Sequence, residues 1–195
     1  MTRSVVQLGG QALKLDADGD TTIQVSSDDV LVVDTAGNEA LKIDANGYVT
    51  KPLQCSFHVT KDSAGGGHQL NISNSGYDTI TFSTEIRDTG GNFASNTFTA
   101  PVTGIYHLHM RLRIDNVDTA ATYYNSGIQT SNRYHANLMR MEYASSDPQL
   151  TVFEINAIAD MDANDTAFCN IFQNGGTSQT DLSAYYCAFY GHLLG

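Results

Sequence analysis

Apolar and polar residues alternate along much of this chain, and little of it repeats at the 3.6-residue spacing of a helix. The clearest case is Ile105-Tyr106-His107-Leu108-His109-Met110-Arg111-Leu112-Arg113-Ile114. It predicts a strand with Tyr106, Leu108, Met110, Leu112 and Ile114 on one face and His107, His109, Arg111 and Arg113 on the other. Ile80 to Ile86 alternates likewise and runs into Asp88-Thr89-Gly90-Gly91-Asn92, a stretch of turn composition. Gln149 to Ala159, Thr166 to Phe172 and Ser183 to Leu194, rich in Val, Ile, Phe and Tyr, predict further strands. Short strands at such close spacing predict an all-β sandwich.

The first fifty residues have a different texture. Leu13-Lys14-Leu15-Asp16-Ala17-Asp18-Gly19, Leu31-Val32-Val33-Asp34-Thr35-Ala36-Gly37 and Leu41-Lys42-Ile43-Asp44-Ala45-Asn46-Gly47 share the pattern Leu-x-aliphatic-Asp-x-x-Gly, at offsets of 18 and 10 residues. Each reads as a short strand entering an Asp-started turn closed by Gly, and the unequal offsets exclude a regular solenoid. Strands this short and sparsely apolar cannot build a core of their own, so the segment is expected to bury its aliphatic side chains against copies of itself. Residues 1–50 are therefore read as a β-repeat stalk and attachment segment, and residues 51–195 as a sandwich head.

Composition narrows the partners. The 195 residues carry 10 Lys and Arg against 21 Asp and Glu, a formal net charge of −11, and only 16% are charged. That balance argues against nucleic acid, whose phosphates must be neutralised by cations, and against anionic lipid. No apolar run reaches the ~20 residues of a membrane span. The opening residues Met1 to Gly10 lack the continuous apolar stretch of a secretory signal, so classical export is not expected. The three cysteines, Cys55, Cys169 and Cys187, form neither a disulfide framework nor a zinc motif and read as small buried hydrophobes, with Cys169 and Cys187 candidates for neighbouring strands.

One resemblance emerges from ordered motifs across residues 51–195. Ile80-Thr81-Phe82 through Gly91-Asn92-Phe93 is followed by Phe98-Thr99-Ala100-Pro101-Val102-Thr103-Gly104-Ile105-Tyr106-His107-Leu108, and the chain closes on Phe189-Tyr190-Gly191-His192-Leu193-Leu194. This resembles the C1q-like domain family, with Phe98, Pro101, Gly104, Tyr106 and Gly191 as its structural motif residues. Ser56-Phe57-His58-Val59 resembles the family's opening strand. Asn164-Asp165 stands where the family usually has Gly-Asp. The resemblance implies a jelly roll of the C1q and tumour-necrosis-factor type, assembled as a homotrimer. The physics of the motif agrees: Pro101 cannot donate to a ladder and Gly104 permits a sharp turn into the Tyr106 strand. The repeats leading through Tyr48-Val49-Thr50-Lys51-Pro52 resemble the stalk-to-head junction of bacteriophage fibre proteins, and the collagen repeats typical of animal C1q proteins are missing.

Catalytic signatures are lacking: there is no Gly-x-Ser-x-Gly elbow, no His-Glu-x-x-His and no P-loop, so an enzyme is not expected. Metal candidates are His107 with His109, an i, i+2 pair on one strand face suited to a transition metal, and Asp160 with Asp162, in an acidic inter-strand segment suited to calcium. Turn closure and a polar strand face explain the same residues. Asp16-Ala17-Asp18-Gly19-Asp20 resembles the start of an EF-hand loop, but its Gly comes early and Ser27 stands where the closing Glu belongs. Ligand recognition is expected from loops: Thr122 to Gly127 and Ser131 to His135, contributing Tyr123, Tyr124, Asn125, Arg133 and Tyr134, and Asn174 to Thr180. Aromatic rings and amides there suit a glycan or protein surface; packing between subunits would use the same tyrosines.

These expectations combine into a homotrimeric virion fibre, such as a phage tail or head fibre. It would be made in the host cytoplasm and joined to other virion proteins through its N-terminal segment, and its head would bind a host cell-surface glycan or protein. A capsid decoration protein without receptor role, a secreted C1q-like binding module and a fibre-borne glycan hydrolase are the alternatives.

Overall fold

The computed structural model of the chain describes residues 11–61 and 67–195, and all the regular structure among them is β. They fall into two compact units that divide between Gln54 and Cys55.

The N-terminal unit is an antiparallel meander of β1 (Leu13–Lys14), β2 (Thr22–Ser27), β3 (Val30–Thr35), β4 (Asn38–Ile43) and β5 (Val49–Thr50). The repeated Asp-x-x-Gly segments make its turns. Gly19, Gly37 and Gly47 all have left-handed φ, of 79°, 71° and 84°, which explains the invariable third residue after each Asp. Asp16 Oδ1 accepts from Gly19 N at 3.0 Å, and Asp44 Oδ1 accepts from Asn46 N and Tyr48 N, both at 2.9 Å. The middle copy departs from this. Asp34 Oδ2 instead accepts across the sheet from Thr22 Oγ1 at 2.9 Å and Gln24 Nε2 at 2.7 Å, while Ala36 and Gly37, both at positive φ, make a two-residue hairpin turn.

Register sorts this sheet's side chains by polarity. Leu13, Ile23, Val33 and Leu41 align across four strands, and Val25, Leu31, Ile43 and Val49 align beside them on the same face. Lys14, Gln24, Asp34 and Lys42 occupy the opposite face, with Val32 between Gln24 and Lys42 as its apolar exception. Among the described residues of this unit Val32 is the one buried apolar side chain; Val25 and Val49 are each 58% exposed.

The C-terminal unit is a two-layer sandwich. One sheet runs in the order β14 (Leu150–Met161), β11 (Gly104–Asp115), β17 (Ala188–Leu193), β6 (Ser56–Thr60) and β8 (Thr84–Thr89), with β16 (Asp181–Leu182) also paired to β11. The other runs β13 (Tyr134–Arg140), β12 (Tyr123–Thr130), β15 (Thr166–Asn174), β10 (Thr97–Thr99) and β9 (Phe93–Ala94), with β7 (Tyr77–Thr79) on β15. The alternation of β11 is as the sequence predicts: Tyr106, Leu108, Met110, Leu112 and Ile114 are all fully buried. Opposite them the second sheet contributes Phe98, Tyr124, Ile128, Cys169 and Ile171. Phe57 stacks on Phe98 with centroids 4.5 Å apart and meets Phe189 edge-on at 4.8 Å, joining the layers.

Several sequence expectations change here. The Ile80–Ile86 alternation is not one strand: β7 ends at Thr79 in one sheet and β8 starts at Thr84 in the other, and residues 80–83 cross between layers with Ile80 in the core. Tyr186, at φ 64°, breaks the extended path expected from Ser183, so the last strand begins at Ala188. Gly104 is absent from the left-handed set and opens β11 directly. A Cβ there would lie 2.7 Å from Leu193 Cδ1, so its role is close packing rather than a sharp turn. Asn164, at φ 77°, adopts the left-handed conformation that the glycine of the resembled motif would supply, and Asn is among the few residues that tolerate it. The cysteines are free and buried, but Cys169 lies in β15 and Cys187 precedes β17, so they belong to opposite sheets and not to neighbouring strands. Burial, reinforced by Asp88, pushes the Cys55 thiol up to about 11 against a lowering hydrogen bond from Asn92.

Candidate functional site, an aromatic and amide face

The segments expected to be recognition loops are largely strands. Tyr123 to Thr130 is β12, and Tyr134 opens β13. Asn125, Ser126 and Gly127 suggest a turn by composition, yet Ser126 is buried with its hydroxyl donating to Asn170 O at 2.8 Å, and Gly127 sits in mid-strand. Strand geometry then divides the two adjacent tyrosines. Tyr124 faces the core, with no exposed surface, and its hydroxyl accepts from Asp118 N at 2.9 Å and pairs with Thr180 Oγ1 at 2.7 Å. It is a structural residue, and its assignment to a ligand site is corrected.

Tyr123, Asn125 and Tyr134 do come together, on the outward face of this sheet, joined by residues from two further strands. The register aligns Asn125 with Phe172, Phe172 with Tyr77 and Tyr123 with Asn174. The Phe172 ring lies 5.0 Å from Tyr77 and 5.9 Å from Tyr123, and Tyr77 meets Tyr134 edge-on at 6.0 Å. Amides hold the hydroxyls: Asn125 Nδ2 donates to Tyr77 OH at 3.2 Å, Asn174 Nδ2 donates to Tyr123 OH at 3.3 Å, and Tyr134 OH donates to Asn170 Oδ1 at 2.7 Å. Burial pushes the Tyr134 phenol well above its ordinary range, with Tyr77 and Cys169 adding to the effect. Asn125 Oδ1, at the centre, has no hydrogen-bond partner among the described residues. Tyr77 is 55% exposed and Tyr123, Tyr134 and Phe172 are partly exposed, so the cluster presents ring surface to solvent while its amides brace the hydroxyls from within the sheet. Tyr77 and Phe172 were not legible as site residues, because only the pairing of β7 with β15 brings them beside Tyr123.

The remaining candidates disperse. Arg133 lies in the β12–β13 turn, where its guanidinium is 3.4 Å from Asp160. Asp162 Oδ1 accepts from Thr103 Oγ1 at 3.4 Å, and Asp165 Oδ2 accepts from Asn132 Nδ2 and Asp162 N at 2.8 and 2.9 Å. This acidic segment is occupied in closing turns and does not gather ligand oxygens. Among the described residues the one trio at metal-ligand spacing is Asp16, Asp18 and Asp20, all exposed, and two backbone amides already engage Asp16. His109 is 7% exposed, stacked on Tyr190 at 4.4 Å, with Nδ1 2.7 Å from Asn156 Oδ1. It does not share a site with His107, whose ring neighbours His192.

Of the five motif residues, Phe98 and Tyr106 lie in the core, with Tyr106 OH donating to Val102 O at 2.7 Å, Pro101 and Gly104 stand at the entry to β11, and Gly191 lies within β17. No family model matches the chain, and no curated protein matches it. Among solved structures, the globular domain of zebrafish complement 1qA protein is similar, with a TM-score of 0.51 and 14% identity over 73% of this chain and 98% of that one. At that identity the likeness is one of fold, and the fold it defines here is the all-β sandwich of a C1q-like globular domain.

Proposed function

We propose that this chain is a non-enzymatic binding protein of the virion-fibre kind, whose C1q-like head engages a host-surface glycan or protein through the Tyr77, Tyr123, Tyr134 and Phe172 face. The observation that carries the reading is the joining of four aromatic rings with Asn125, Asn170 and Asn174 on one sheet face. Rings supply flat apolar area for sugar or side-chain stacking, and amides supply paired donors and acceptors at little entropic cost.

Homotrimeric assembly belongs to the same reading. It is supported by the N-terminal meander, whose two aligned apolar rows lie on one face of a single sheet. An apolar face of that kind is buried most economically against its own copies. Three heads would then act together, and multivalency would raise weak single-head binding. The N-terminal segment would join the other virion proteins.

The test is binding of the full chain to a panel of bacterial surface glycans and to whole cells. Tyr77→Ala and Tyr123→Ala are expected to weaken binding, and Tyr124→Phe to leave it intact. Binding unaffected by both alanine variants would reject this face as the site. Failure of the wild-type chain to bind any cell or glycan, combined with a lattice position on a capsid, would favour the decoration role.

A further inference from the structure

Four of the six histidines, dispersed in sequence, converge on the outward face of the sheet built around β11. His58 comes from β6, His107 and His109 from β11, and His192 from β17. Register arranges them in two rows. Tyr190 stands opposite both His58 and His109, and His192 stands opposite both His107 and Ser56. The first row is closed by its own contacts, since Tyr190 packs on both rings and His109 is bonded to Asn156 and lies 3.8 Å from Glu154. In the second row the His107 and His192 centroids are 5.3 Å apart at 69°, and neither ring has a hydrogen-bonding or ionic partner among the described residues.

We propose that His107 and His192 bind a late first-row transition-metal ion, Cu²⁺, Ni²⁺ or Zn²⁺, as a bidentate imidazole pair. Metal–nitrogen bonds of about 2.0–2.1 Å at a near-tetrahedral angle set two imidazole centroids roughly 5 Å apart, close to the separation found here. Imidazole nitrogens favour these ions over calcium or magnesium. Of the arginines on this face, Arg87 borders the same recess as His192 and is a cation the bound ion must tolerate, whereas Arg111 is held away from the pair. Arg111 lies four residues along the strand from His107, about 13 Å away at strand rise, and faces Glu154 at 4.0 Å. His192 also borders a recess of about 460 Å³ lined by Ser56, His58, Ile86, Arg87 and Tyr190, which leaves room for water in the remaining coordination positions.

The experiment is a Cu²⁺ titration of the full chain without an affinity tag, followed by calorimetry and electron paramagnetic resonance. The expected result is saturable binding with a two-nitrogen signature, reduced about tenfold or more by either His107→Ala or His192→Ala. His135→Ala, altered in the other sheet, should leave it unchanged. His192 is exposed, so its variant retains the fold even where His107→Ala does not. Absence of saturable binding in the wild type, or binding that survives His192→Ala, as an ion held at Asp16, Asp18 and Asp20 would, overturns the proposal.

Discussion

The ring of Tyr134 lies over the bare Cα of Gly127: a Cβ at that position would sit 2.5 Å from Tyr134 Cε2 and 2.5 Å from His135 O. Gly127 and the residue before it pair with Ala136 and Asn137 in unbroken register, so the glycine sits within a regular strand. What it provides is room. With no side chain beneath, the Tyr134 ring reaches across to Asn170 and Tyr77 and closes the aromatic face. Gly127→Ala should therefore displace the ring or the β12–β13 pairing, costing about 1–3 kcal/mol. Urea denaturation measures that loss, and an unchanged midpoint would remove Gly127 from the account of the face.

Tyr124 supplies the converse case, a tyrosine whose value is entirely internal. Tyr124→Phe keeps the ring and removes a hydroxyl that satisfies Asp118 N and Thr180 Oγ1 inside the core. Leaving buried donors unpaired costs about 1–3 kcal/mol. The variant should lower the thermal midpoint while ligand binding by the folded protein stays at the wild-type level.

Acid should destabilise the head partly through Asp118. Desolvation alone would raise its pKa, but donation from Thr177 N, Ala120 N and Thr177 Oγ1 outweighs it and holds the carboxyl below the ordinary 3.8. A depressed folded-state value means that the stabilisation is complete above the unfolded pKa and is lost as pH falls through the folded one. Denaturant midpoints should thus decline below about pH 4. Asp118→Asn should start from a lower midpoint at pH 7 and fall less steeply with acid; an identical slope would assign the acid loss elsewhere.

The meander's apolar rows carry the prediction about assembly. Val25 is exposed and begins one row, so Val25→Asp should disturb the isolated sheet by no more than about 0.5 kcal/mol. Association through that face should nevertheless weaken. Light scattering on both proteins at micromolar concentration decides the matter: a trimer that dissociates on substitution is expected, and a wild-type monomer would end the trimer reading.

What was legible in the sequence was whatever local chemistry dictates. The alternation of β11 fixed its buried face, and Asp-x-x-Gly fixed turns at Gly19 and Gly47, because both depend on residues within one strand or one turn. The aromatic face was half legible: its tyrosine and asparagine types were identified, but Asn125-Ser126-Gly127 suggested a loop, and without the strand the opposite fates of Tyr123 and Tyr124 could not be assigned. Tyr77, Phe172 and the pairing of His107 with His192 were illegible, since each follows from register between strands far apart in the chain.

The place of β17 between β11 and β6 bears on how the protein is made. Strands β6 and β8 pair with each other, as do β11 and β14, but the two pairs join into one sheet only when residues 188–193 are added between them. Such non-local pairing is slow and comes late during synthesis. The N-terminal meander pairs only consecutive strands and can form while the ribosome is still translating the head. In the proposed trimer its apolar rows would be open to neighbouring nascent chains throughout that interval, so the timing of the last strand would set how long chains have to meet before each head closes.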